Sequence, residues 1–130
     1  MLSIGQLAEA TGETVKTLRY WTGLGLLVAE RGENNYRYYR EAMTERTAFI
    51  RGAQALGFTL AEIRNILSLR ENGQPPCTEV KQQLARHLAK VRARMAELRQ
   101  LEAELADRLR WAESHPDPAC DADGCVYLAN

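Results

Sequence analysis

Residues 3–21 read SIGQLAEATGETVKTLRYW. Ser3 precedes Gln6 by three positions, the spacing of a capping box, in which a side-chain oxygen and a backbone N–H at a helix start satisfy each other. Ile4, Leu7 and Ala8 then share one helical face. Gly12 stops this short helix. ETVKTLRYW begins a second helix, with Val15, Leu18 and Trp21 turned inward. Two short helices across a tight Thr-Gly turn form a helix-turn-helix, a supersecondary unit that also serves as a plain αα-hairpin. The stretch after it decides between the two.

Residues 23–40, GLGLLVAERGENNYRYYR, lose the helical period. LLVAE and YRYY are short β-compatible runs, and RGENN between them is turn-rich, which predicts a small hairpin. A hairpin directly after a helix-turn-helix is a wing. Arg31, Asn34, Asn35, Tyr36, Arg37 and Tyr39 can donate to phosphates, and an arginine can enter a minor groove. Some of these tyrosines are also expected to cover the core.

Two core-forming helices follow. In residues 41–57, Met43, Ala48, Phe49, Ala53 and Leu56 fall near helical spacing and Gly57 closes the element. Thr59 and Glu62 form a second capping box ahead of Leu60, Ile63, Ile66 and Leu67, and Gly73 ends that helix.

After GQPP, Thr78 is expected to cap one long helix reaching Ala112. Val80, Leu84, Leu88, Val91, Met95 and Leu98 repeat close to a heptad seam. Glu102 occupies the next seam position, and the apolar line resumes one residue out of phase at Leu101, Leu105 and Leu109, a local overwinding or an end of the seam. The helix would be about 50 Å long. A chain of 130 residues cannot cover such a stripe by itself. A partner helix is implied, and a two-fold homodimer is the commonest solution. His87 flanks the seam as a structural residue. Pro116 and Pro118 end the helix.

Lys plus Arg number 17 and Asp plus Glu number 17, so any basic surface must be local. The 45% hydrophobic content suffices for one compact core. The start of the chain lacks the basic and apolar pattern of a signal peptide, and no apolar run approaches the roughly 18 residues of a membrane span. A cytoplasmic protein is expected. There thiols stay reduced, so Cys77, Cys120 and Cys125 read as ligands or redox sensors rather than structural disulfides. No Ser-His-Asp set, Gly-rich phosphate loop or paired catalytic carboxylates supports an enzyme.

Taken together, SIGQLAEATGETVKTLRYW, GLL, NNYRYY, GFTLAEI, Cys77 and the long helix resemble the MerR family of transcriptional regulators. The resemblance spans nearly the whole chain. It departs at Trp21-Thr22, where a Tyr-Glu pair is usual, and at Asn35, where the turn usually has glycine. Asn tolerates left-handed backbone, so the turn survives. The resemblance implies a mainly α fold: residues 1–74 a winged helix-turn-helix DNA-binding domain with connecting helices, 75–112 an antiparallel coiled-coil dimerisation helix, and 113–130 a metal-binding loop. It implies a homodimer on double-stranded promoter DNA that distorts the spacer so that RNA polymerase can use it. By motif, Arg19, Tyr20, Tyr36 and Arg37 contact mainly phosphates. Thr14, Val15, Lys16 and Thr17 stand where recognition helices meet base edges or backbone, and Arg31 and Asn34 belong to the wing.

In the metal-responsive branch, a cysteine at the start of the long helix marks sensors of divalent ions. Antiparallel pairing would bring Cys77 of one chain to Cys120 and Cys125 of the other. Thiolates are soft ligands and suit Hg(II), Pb(II), Cd(II) or Zn(II). His115, Asp121 or Asp123 could supply a fourth ligand where the ion prefers four. The usual first loop cysteine would stand near Ala112, so Cys120 is inferred to replace it. The alternative is a thiol-redox regulator of the same fold, using a Cys120–Cys125 disulfide.

Overall fold

The computed structural model describes residues 1–116 and 124–128. Its elements in order are α1 (Ile4–Thr11), α2 (Val15–Gly23), β1 (Ala29–Arg31), β2 (Arg37–Tyr39), α3 (Ala42–Ala55), α4 (Leu60–Glu71) and α5 (Cys77–Ser114). The chain is mainly helical, with a helix-turn-helix, a wing and a long C-terminal helix. It divides into a unit of Met1–His87, the head, and a unit of Leu88–Asn130.

Both expected capping boxes form, Ser3 with Gln6 and Thr59 with Glu62. Gly12 ends α1 at φ 79°, and its N–H donates to the Ala8 carbonyl. A side chain there would be strained, so glycine permits the tight entry into α2. The strands pair antiparallel, with Ala29 opposite Tyr39 and Arg31 opposite Arg37. Leu2 adds a further rung, exchanging two 2.7 Å bonds with Tyr39. The first strand is shorter than LLVAE because Leu26 and Leu27 turn into the core instead. Asn35 takes the left-handed turn position at φ 64°.

The head core gathers Leu7, Leu18, Trp21, Leu26, Leu27, Tyr39, Met43, Ile50, Phe58, Ile63, Ile66 and Leu67. The expected inward face of α3 needs correction. Ala48 and Leu56 are exposed, whereas Thr47 and Ile50 are buried. The inward line runs through Met43, Thr47 and Ile50, at i, i+4 and i+7. Thr47 tolerates burial because its hydroxyl donates to the Met43 carbonyl at 2.7 Å.

Thr78 does not cap α5. The helix already includes Cys77, and the Val80 N–H donates to the Pro76 carbonyl at 2.9 Å. Pro76 has no N–H to leave unsatisfied, so it can stand at this boundary. Past the phase slip α5 stays helical and reaches Ser114, beyond Ala112. Leu84, Leu88, Val91, Met95, Leu98, Leu101, Leu105 and Leu109 are all exposed along it.

Candidate nucleic-acid interface and thiol ligands

The turn between α1 and α2 is held by a contact that local sequence does not reveal. Arg51 on α3 pairs with Glu13 at 2.9 Å and donates to the Thr11 carbonyl at 2.7 Å. This fixes the start of α2. There Thr14 accepts from the Thr17 N–H at 3.1 Å, and the two hydroxyls bond at 3.0 Å. Both threonines are thus engaged in the cap. Val15 is half-buried, whereas Lys16, Arg19 and Tyr20 are exposed. Tyr20 is 59% exposed, open to a partner.

Tyr36 and Arg37 are exposed on the wing. Arg31 donates to the Asn35 side-chain carbonyl at 2.7 Å. Asn34 accepts from the Tyr36 N–H at 3.2 Å and donates to the Tyr38 hydroxyl at 2.9 Å. These bonds shape the loop. Gly32 lies under the Tyr38 ring: a Cβ there would stand 2.7 Å from Cε2. Tyr39 departs from the expected phosphate donors. It is 1% exposed, and its hydroxyl meets that of Thr22 at 2.8 Å. Thr22, one of the two residues that depart from the usual Tyr-Glu pair, therefore supports the core end of β2.

Arg19, Tyr36 and Arg37 come together around one cleft of about 470 Å³, with Ser3 and Ile4 at the start of α1. Elsewhere in the head, three arginines are paired with carboxylates: Arg40 with Glu30, Arg46 with Glu71, Arg51 with Glu13. Among the described residues, Lys16, Arg19 and Arg37 have none. Lys16, Arg19 and Arg37 thus give α2 and the wing a locally basic face in a chain of balanced net charge. Such a face can attract phosphates and release their counterions.

Cys77 is exposed as the first residue of α5, and Cys125 is exposed in a turn closed by the Leu128 N–H on its carbonyl at 3.1 Å. Both are free thiols. Cys120, Asp121 and Asp123 lie outside the described residues. Among the described residues no three His, Cys, Asp or Glu side chains converge on a point. His115 stacks on Trp111 with ring centroids 4.1 Å apart. Its Nδ1 lies 2.9 Å from the Trp111 carbonyl and 3.0 Å from the Ser114 hydroxyl, so that nitrogen is already engaged. The other nitrogen, Nε2, is the one suited to a metal. Tyr127 donates its hydroxyl to the His115 carbonyl at 3.0 Å and sets its ring edge-on to Trp111 at 5.9 Å. Arg108 donates to the Tyr127 carbonyl at 3.2 Å. The turn carrying Cys125 is thereby fastened to the end of its own helix.

Comparison with known proteins places these features. The MerR HTH family of regulatory proteins matches residues 2–69, and the MerR DNA-binding family matches residues 44–108. The regulator ZntR of Escherichia coli is 37% identical over 81% of this chain and 76% of its own. The mercuric resistance operon regulatory protein of Pseudomonas fluorescens is 36% identical over 82% of this chain and 73% of its own. The solved structure of PbrR691 from Ralstonia metallidurans in complex with lead(II) superposes with TM-score 0.79 and 39% identity, covering 98% of this chain and 97% of that one.

Proposed function

This chain is a member of the MerR family of helix-turn-helix regulators, and we propose that within it the protein is a metal-responsive activator of transcription. The observation that carries the reading is Cys77, an exposed free thiol at the first turn of α5, in a chain alike over almost its full length to a lead-bound regulator. The donor set fits a soft divalent ion. Cys77, Cys120 and Cys125 would hold it, with His115 Nε2, Asp121 or Asp123 as a fourth ligand. Bound there, the ion supplies charge and strong directional bonds to sulfur.

The remaining work falls to the chain itself. The exposed stripe from Leu84 to Leu109 pairs with a second copy, antiparallel, so that both chains build each thiol site. An apolar groove of about 380 Å³ runs into this stripe: Val80 and Leu84 line it with Phe49, Ala53, Leu56 and Phe58. Arg19, Tyr20, Tyr36 and Arg37 grip phosphates on each half-site, aided by Arg31 and Asn34. Thr14, Val15, Lys16 and Thr17 face the bases or the adjoining backbone. The dimer acts on DNA shape, bending and untwisting a promoter spacer for RNA polymerase. Among the described residues no helix is long and apolar enough to cross a membrane, and a cytoplasmic setting keeps the thiols reduced.

Anaerobic titration of the reduced dimer with Hg(II), Pb(II), Cd(II) and Zn(II) tests this, following the thiolate-to-metal ultraviolet band against a competing chelator. Tight binding that is lost alike in C77S, C120S and C125S is expected. Weak binding indifferent to those substitutions would overturn the metal reading. Activation by metal-free oxidation would then favour the thiol-redox regulator.

A further inference from the structure

His87 is the last residue of the head unit and sits on α5, three turns in from Cys77. Its imidazole is enclosed by the connection between α3 and α4. The Phe58 ring stacks on it at 5.0 Å and 25°. Gly57, at φ 92°, comes so close that a Cβ there would stand 3.6 Å from Nδ1. Both carboxylate oxygens of Glu62 lie within reach of Nε2, at 3.1 and 3.2 Å. Both side chains are largely buried, 14% exposed for His87 and 16% for Glu62.

Glu62 has a second task. One of its oxygens accepts from the Thr59 N–H at 2.9 Å, and its own N–H donates to the Thr59 hydroxyl at 3.1 Å. The carboxylate that caps α4 is therefore also the anchor for α5. An apolar residue at position 87 could still pack on Phe58. Only a donor at Nε2 adds direction, because a hydrogen bond weakens steeply as its angle departs from linear.

We propose that His87 is a positioning residue for the regulatory response: through Glu62 it locks the first three turns of α5 onto the start of α4, so that the DNA-reading head follows the dimerisation helix. A helix is stiff over this length, so the firmness of the lock decides how much of any movement along α5 reaches the head. The inference rests on the DNA-distorting reading above.

The test compares wild type with H87L, which keeps the packing on Phe58, with H87Q, which keeps a neutral donor toward Glu62, and with E62Q, which keeps the cap but loses the charge. Each intact dimer is bound to a duplex selected from random sequence. Operator affinity, end-to-end energy transfer across the labelled duplex and melting temperature are recorded with and without Pb(II) or Cd(II). In H87L the transfer change is expected to fall about fivefold while affinity moves by less than about threefold. H87Q should restore most of it, and H87L with E62Q together should cost less than the sum. Wild-type transfer in H87L, or losses that merely track melting temperature with no rescue by H87Q, would overturn the proposal. If no metal alters transfer in wild type, the metal reading fails. Bending in the effector-free complexes then judges the lock alone: a shift in H87L restored by H87Q supports it, and identical bending refutes it.

Discussion

Leu98→Glu on α5 tests whether the apolar stripe is an interface between two chains. Leu98 is 51% exposed, and Leu88, Met95 and Leu101 are 49%, 45% and 49% exposed. Covering the remaining half of a leucine side chain is worth about 1 kcal/mol at about 25 cal/mol per Å². Two-fold symmetry makes the loss occur twice. A carboxylate left without a partner in a mostly dry seam costs about 1 kcal/mol or more in each chain. The dimer should therefore weaken by about 4 kcal/mol, close to a thousandfold in dissociation constant. Sedimentation velocity over a concentration series reads this directly. Operator binding should fall with it, because a monomer engages one half-site. The head should stay folded, since Leu98 belongs to the unit of Leu88–Asn130 and not to the core around Leu7, Leu18 and Ile63. A dissociation constant within about threefold of wild type would refute the reasoning, for the stripe would then be covered by something other than a second copy.

Arg37→Ala should weaken operator binding across sequences and lower the slope of log affinity against log salt by about one, read by fluorescence anisotropy at several salt concentrations. Tyr39→Phe removes the buried bond to Thr22 and should cost about 1 kcal/mol in a urea melt, with operator contacts unchanged. Glu62 is held below its ordinary value of 4.5, first by the Thr59 N–H, against the opposing pull of burial, then by the Thr59 hydroxyl and by His87. A depressed carboxyl contributes stability that is present above its unfolded pKa and lost as pH falls through the folded one. E62Q should therefore flatten the fall in head stability below about pH 4.5, measured by urea melts at successive pH values.

The features legible in the sequence are those whose partners lie within one turn of chain. Ser3 with Gln6 and Thr59 with Glu62 are pairs three residues apart, so spacing alone reveals them. The stripe on α5 is legible because helical period fixes which side chains share a face. The face of α3 was not, because Ala48 and Thr47 are adjacent and small, and tertiary packing rather than local pattern buries Thr47. The boundary of α5 lies two residues before the expected cap because Pro76, not the Thr78 hydroxyl, marks it. Contacts distant in sequence were hidden altogether. Arg51 reaches back to Glu13, and His87 to Glu62, through folding and not through local pattern. The tyrosines of YRYY divide: Tyr36 is exposed, whereas Tyr39 turns inward to Thr22.

A sensor site assembled from two chains has a thermodynamic consequence. An effector shifts an equilibrium only by the difference in its affinity for the two states. A site confined to one chain would keep its geometry whatever the heads did, and would shift little. A site needing Cys77 from one chain and the loop cysteines from the other exists fully in only one arrangement of the dimer. Its affinity difference is then built in. To take the distorting state from about one part in a hundred to dominance needs about 5.5 kcal/mol of such difference, within reach of losing one thiolate bond to a soft ion. Linkage makes the coupling mutual: promoter DNA held in the distorted shape must tighten metal binding by the factor by which metal favours that shape. The capture of metal by thiols and the bending of DNA by Arg19, Tyr36 and Arg37 are on this reading two measurements of one free energy.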